Sequence, residues 1–269
     1  MRINILATSA LLGATVALSA CSDSTSAAAG RPVSISFSTS ATGGAVASLA
    51  SSVGGALRSL STTSGSNTIV INKAQVVVAR MELATTGASC TSTAAAGDDQ
   101  DDEHDCPELT LAPSIVNLPV DSSLASPIQL SIPKGTYRAL EAKIRAIRPD
   151  SDQGKASNAF LAANPTFNGV TVRVEGTYNG KAFVYTGAPR AEFETQFNPP
   201  ITVDTGAVNV TVHVDMGSWF KDMTGALIDP SSTNPMDIAT INNNIRRSFR
   251  AYRDDNRNDH DDAGEHHDH

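Results

Sequence analysis

A chain of 269 residues with a formal net charge of −8 can hold one large or two small cores but carries no basic surplus. That balance excludes nucleic acid as a natural partner, because binding a polyanion needs a basic face. Aromatic residues make up 5% and charged residues 18% of the sequence, a sparse composition for a densely packed enzyme and a common one for β-rich envelope domains.

The N-terminus places one cation, Arg2, ahead of an apolar run from Ile3 to Leu18, followed by Leu18-Ser19-Ala20-Cys21. A basic start, a short apolar core and small residues before a cut define a cleaved secretory signal, and this core is too short to span a bilayer comfortably. The register of Leu, Ser, Ala and Cys resembles the lipobox of bacterial lipoproteins. Residues 1–20 are therefore expected to be a signal peptide, with Cys21 the lipidated first residue of the mature chain. Ser22, rather than aspartate, follows the cysteine, which favours the outer membrane and leaves open the face it looks out on. The expected membrane contact is the anchor, and residues 21–31, small and polar, read as its tether.

Val33, Ile35 and Phe37 alternate with serines, the period of a half-buried strand. Residues 41–66 are dominated by Ala, Gly, Ser and Thr. Val46, Leu49, Val53, Leu57 and Leu60 fall at helical spacing there, but Gly54 and Gly55 interrupt them at about 1 kcal/mol each, so a flexible insertion with one weak helix is expected. Strand signals return at Thr68 to Asn72 and run through Val76, Val77, Val78, Met81 and Leu83. A loop over 90–106 follows, in which Asp98, Asp99, Asp101, Asp102, Glu103 and Asp105 crowd together between Cys90 and Cys106. With Cys21 taken by lipid, these two cysteines are left as a disulfide pair in an oxidising compartment; a zinc-thiolate site would need a second pair of close ligands.

Beyond residue 127 the sequence reads as antiparallel hairpins. Ile128, Leu130 and Ile132 lead through Pro133-Lys134-Gly135 to Leu140, Ala142 and Ile144; Val170, Val172 and Val174 lead through Asn179-Gly180 to Phe183 and Tyr185. A third hairpin is expected where Ile201 and Val203 precede Asp204-Thr205-Gly206 and Val208, Val210, Val212 and Val214. Short strands with frequent turns indicate a mainly β domain over residues 32–220, an antiparallel β-sandwich. Ile69 to Leu83 (IVINKAQVVVARMEL), Leu130 to Ile144 (LSIPKGTYRALEAKI) and Ile201 to Asp215 (ITVDTGAVNVTVHVD) resemble a family of bacterial envelope lipoproteins whose central domain has no known function. The resemblance implies a prealbumin-like or immunoglobulin-like sandwich and supplies no catalytic residues.

Residues 221–253 are expected to be a linker and one C-terminal amphipathic helix. Asn234 is its cap, Pro235 its first turn, and Ile238, Ile241, Ile245, Phe249 and Tyr252 form its apolar stripe. Arg246, Arg247, Arg250 and Arg253 collect near its end, where they suit the helix dipole. Trp219 and Phe220 read as a plug in the sandwich, and His213, alone on a strand, as structural.

Residues 254–269 form an acidic, histidine-bearing tail expected to be disordered. Asp254, Asn256 and Asn258 take the first, third and fifth places of a calcium loop and Glu265 the twelfth, but Asp259 stands where glycine permits the sharp turn. His260, His266, His267 and His269 beside these carboxylates suit zinc better than calcium. No zinc-protease helix, nucleophile elbow or phosphate-binding glycine loop is present in the sequence, so the expectation is no enzyme and no certain cofactor. The leading reading of function is a lipid-anchored, non-catalytic envelope protein capturing Ca2+ or Zn2+ with its tail; the alternative is a structural or interaction module contacting another envelope protein, with no metal role.

Overall fold

The computed structural model describes residues 31–40, 59–85, 111–121, 128–132, 135–149, 154–203 and 208–254. The signal and Cys21, the weak helix over 46–57, Cys90, His104 and Cys106, and the tail from residue 255 lie outside the described residues.

Among the described residues the chain is mainly β with two α-helices, and its strands form a sheet of seven and a sheet of four. β1 (Arg31–Ser40) opens the smaller sheet. β2 (Leu60–Ser64) and β3 (Asn67–Thr85) turn tightly at Gly65, so the end of the expected insertion is a strand in register with Asn67–Ile71. β3 pairs antiparallel with four partners: β2, β4 (Ser114–Leu118), β6 (Gly135–Ile144) and β7 (Val172–Tyr178). β8 (Lys181–Gly187) and β9 (Ala191–Val203) extend the sheet to the order β8-β7-β3-β6-β9. The smaller sheet runs β11-β10-β1-β5, with β5 (Ile128–Ile132), β10 (Val208–Asp215) and β11 (Phe249–Arg253).

Of the three expected hairpins one forms. Asn179 (φ 50°) and Gly180 (φ 80°) make the two-residue turn joining β7 and β8, the positive φ values that such a turn needs. The other two connections change sheets. β5 pairs with β1 and β6 with β3 and β9; β9 stays in the large sheet while β10 pairs with β1 and β11. Alternation and a turn residue specify a strand and a bend, but not which neighbour the next strand takes. The small sheet is also mixed rather than antiparallel, because β1 and β10 run parallel, with Phe37 beside Val212.

The expected terminal helix is shorter than its periodicity suggests. α2 (Pro235–Arg247) starts as read, with the Asn234 side chain accepting from the Met236 amide, and buries Ile241 and Ile245. It stops at Ser248, whose hydroxyl donates to the Ile245 carbonyl and accepts from Trp219 Nε1 at 2.8 Å. Phe249 and Tyr252 then belong to β11, with Phe249 stacked on Phe193 of β9 (centroids 6.5 Å apart). Arg246 and Arg247 therefore sit in the last helical turn as expected, whereas Arg250 and Arg253 lie on a strand. The β domain thus runs on past residue 220, and residues 221–253 close it instead of trailing from it.

One core takes residues from both sheets: Ile35, Phe37, Val212 and Val214 from the small one, Ile69, Val76, Leu140 and Val174 from the large, with Trp219 fully buried among them. A second, smaller cluster forms on the opposite face of β3, where α1 (Lys155–Ala163) and the turn after it cover Val77 and Ala79 with Phe160 and Phe167. Burial on both faces explains the unbroken apolar run Val76-Val77-Val78, which no half-exposed strand would carry. On β9, Pro199 and Pro200 have no amide to offer, and the β6–β9 register shifts beside them, between Tyr137 and Ala139.

Gly176 of β7 lies against the irregularity in β3 between Ile71 and Lys73, and a Cβ there would fall 2.0 Å from the Val70 carbonyl oxygen. Because the obstacle is backbone, it cannot swing away. Gly176→Ala is expected to destabilise the chain by about 1–3 kcal/mol, read as a lower urea midpoint at unchanged slope; an unchanged midpoint would show that β3 yields there.

Candidate functional site

A recess of about 950 Å3 lies between α2 and the loop over 216–227. The loop is built by local capping. Asp215 accepts from the Gly217 amide and holds a 3-10 turn over Met216–Ser218. Asp222 Oδ1 accepts from the Thr224 amide and hydroxyl and from the Ala226 amide at 2.7–2.9 Å, an Asx-type turn. Those bonds, the Thr224 hydroxyl first, hold the exposed Asp222 carboxyl below the usual aspartate range.

Three consecutive asparagines, poor helix formers, sit in the second half of α2 and are offset by tertiary contacts. The Asn244 amide reaches the carbonyls of Lys221 (2.7 Å), Ser218 (3.1 Å) and Trp219 (3.3 Å), tying helix to loop. Asn242 accepts from the Tyr185 hydroxyl at 2.9 Å, tying the helix to β8. Asn243 accepts from Arg246. Tyr185 and Phe183 in turn meet Phe220 edge-on, with centroids 5.5 and 5.8 Å away. The recess is thus a fixed shape, walled by Lys221, Asp222, Arg247 and Asn244 and rimmed by Met223 and Met236, two of the few large apolar side chains exposed among the described residues.

The exposed face of β3, β6 and β9 carries a charge lattice. Register sets Arg80 beside Lys143 and Lys143 beside Glu192; the next row is Glu82, Glu141 and Glu194. Along the strands Arg80 pairs with Glu82, and Lys143 Nζ lies 2.9 Å from Glu141. The Lys143 bond holds the Glu141 carboxyl low, whereas partial burial, then the hydrogen bond shared with Glu141, pushes Glu192 up.

Of the tail residues read as cation ligands, only Asp254 is described. It is fully buried, its Oδ2 accepts from the Thr211 hydroxyl at 2.8 Å and its amide donates to the Asn209 carbonyl, so it is tied to β10 directly after β11 ends. Asn256, Asn258, His260, Glu265, His266, His267 and His269 lie beyond it. Among the described residues no group of three His, Cys, Asp or Glu side chains is placed to hold a metal, and no helix is long and apolar enough to cross a membrane. His213 has a serine at each ring nitrogen, Ser38 Oγ 3.0 Å from Nδ1 and Ser40 Oγ 2.9 Å from Nε2. Sequence reading passed over Met223, Met236 and Asn244. Their only signal was an exposed methionine amid turn residues and an asparagine run at odds with helix propensity.

No family model and no curated protein matches the chain. Among solved structures it is similar to MbnP from Methylosinus trichosporium, at 14% sequence identity over 83% of this chain and 98% of that one, with a TM-score of 0.37. That likeness assigns no role to any residue.

Burial pushes the Tyr185 hydroxyl up to about 12. The raised value means that its contribution is intact below the unfolded value of about 10 and is lost as pH climbs through about 12. Tyr185→Phe should cost about 1 kcal/mol at neutral pH through the lost bond to Asn242. It should also flatten the alkaline fall in stability measured by urea unfolding at stepped pH. Tyr137, likewise raised by burial, leaves a residual slope.

Proposed function

We propose that this chain is a non-catalytic, lipid-anchored protein of the bacterial envelope whose β-sandwich acts as an interaction module. The observation that carries the reading is the recess beside α2. Its walls are locked by Asn242 and Asn244, while Met223 and Met236 stand out at its rim. Unbranched thioethers adapt to varied apolar surfaces, and a rigid groove that offers them beside Lys221 and Arg247 suits a protein partner with apolar and acidic residues. A core fed by both sheets supports the sandwich reading, and an edge-free attachment of the tether through β1 suits a domain held on a membrane surface.

The cation-capturing tail is the weaker of the two readings on these observations. Asp254, first in the calcium pattern, is committed to Thr211 within the sheet. A zinc site drawn from His260, His266, His267 and His269 does not need Asp254. It would lose affinity as those imidazoles protonate below about pH 7.

The anchor has its own test. Cys21→Ser is expected to abolish incorporation of labelled palmitate and to leave an uncleaved precursor of higher mass on gels; continued labelling would remove the anchor from the reading.

A photo-crosslinking residue at position 223 or 236 in living cells should yield a discrete adduct that a probe at Lys181 does not. Arg247→Glu should reduce it several-fold, and deletion of residues 255–269 should leave it intact. Absence of a discrete adduct at both positions would sink the interaction reading. Saturable zinc binding lost on the same deletion would then favour the tail.

A further inference from the structure

Beyond the recess at α2, a second surface carries chemistry that the proposed interaction does not use. The last rung of the β6–β9 ladder pairs Ile144 with Ala191, so Arg145 and Arg190 leave the sheet side by side. Arg148 follows Ile147, which is fixed by a bridge to Asn168 and buried in the smaller core. The three guanidinium side chains line a cleft of about 120 Å3 together with Ala146 and Ala188, and no carboxylate stands among its described lining residues. It adjoins an outer cleft of about 340 Å3 that shares Arg145 and Arg190 and adds Arg80, Lys143 and Glu192.

The charges of the two clefts are balanced differently. Arg80 and Lys143 are neutralised by Glu82 and Glu141 in the lattice, and Glu192 faces the outer cleft. Among the described residues, Arg148 and Arg190 form no ion pair with a carboxylate. Arg148 and Arg190, lining one cleft with like charge, repel unless something of opposite sign sits between them. Alanines at 146 and 188 keep the space between them open instead of filling it. A planar guanidinium donates two parallel hydrogen bonds to an oxyanion, so several of them around one small cleft match a tetrahedral dianion better than a single carboxylate.

We propose that Arg145, Arg148 and Arg190 form a binding site for a phosphoryl oxyanion, either free phosphate or the phosphomonoester of a lipid headgroup. The site is independent of the recess beside α2: it lies at the end of β6 and the start of β9, and no residue lines both.

The test uses the full lipidated chain in neutral detergent at about 0.15 M salt, where charges farther apart than about 8 Å are screened. Inorganic phosphate, water-soluble dihexanoyl phosphatidate and, as a zwitterionic control, dihexanoyl phosphatidylcholine are titrated by calorimetry. Saturable binding of phosphate is expected, weakened at least tenfold by R148A/R190A and unchanged by K181A. Both arginines are exposed, so the double variant should fold, and its melting curve checks that; Arg148→Gln alone, expected to weaken binding several-fold, serves if it does not. Binding of phosphate with phosphatidate identifies a site open enough for a headgroup, and binding of phosphate alone identifies a free-anion site. No saturation with either phosphoryl compound, or equal binding by wild type and the folded arginine variants, overturns the proposal. Neither result bears on the crosslink at positions 223 and 236.

Discussion

The whole fold depends on β3 being paired along both edges and covered on both faces. Nineteen residues make it the longest element among the described residues, and four strands take their register from it. A strand so placed must satisfy its backbone groups through partners from distant parts of the sequence and bury apolar side chains in two directions at once. Its three irregularities, between Ile71 and Lys73, between Val78 and Arg80 and between Ala84 and Thr85, let one strand serve partners that do not share a common register. Gly176 shows how little slack remains where β7 passes the first of them.

From this frame the placement of the surface chemistry follows. The polar face of β3, β6 and β9 can carry a charge lattice because the sheet fixes the spacing of its rows, and within it Arg80 pairs with Glu82 and Lys143 with Glu141. Where the ladder ends at Ile144 and Ala191, Arg145 and Arg190 follow side by side on the two chain segments that leave the sheet. At α2 the logic differs. Helix and loop are rigid because asparagine amides replace apolar contacts, which leaves the methionines free to face outward.

Much of the secondary structure was legible in the sequence, and the connectivity was not. Val33, Ile35 and Phe37 marked β1, Asn179-Gly180 marked a hairpin, and Asn234-Pro235 marked the start of α2, each through a local rule that holds in any fold. The turns near Pro133 and Asp204 were read as hairpins because a bend between two alternating segments looks the same whether the chain returns beside itself or crosses to another sheet. Phe249 and Tyr252 fitted a helical stripe by spacing alone. What ended the helix was Ser248, held by Trp219, a contact between residues far apart in the sequence. The sites were less legible still. The tail advertised its carboxylates, whereas Arg145, Arg148 and Arg190 become neighbours only once β6 and β9 are aligned.

The parallel pairing of β1 with β10 sets the order in which the molecule can be completed. Ser38 and His213 are bonded across 175 residues of chain, and among the described residues β1 pairs with β5 and β10 alone. The small sheet therefore cannot close until the last quarter of the polypeptide has emerged, a high-contact-order step that is intrinsically slow. During synthesis β1 therefore lacks its parallel neighbour until β10 has been made. An early stop anywhere before β10 would leave the valines of β1's partner missing and the product without a lasting fold.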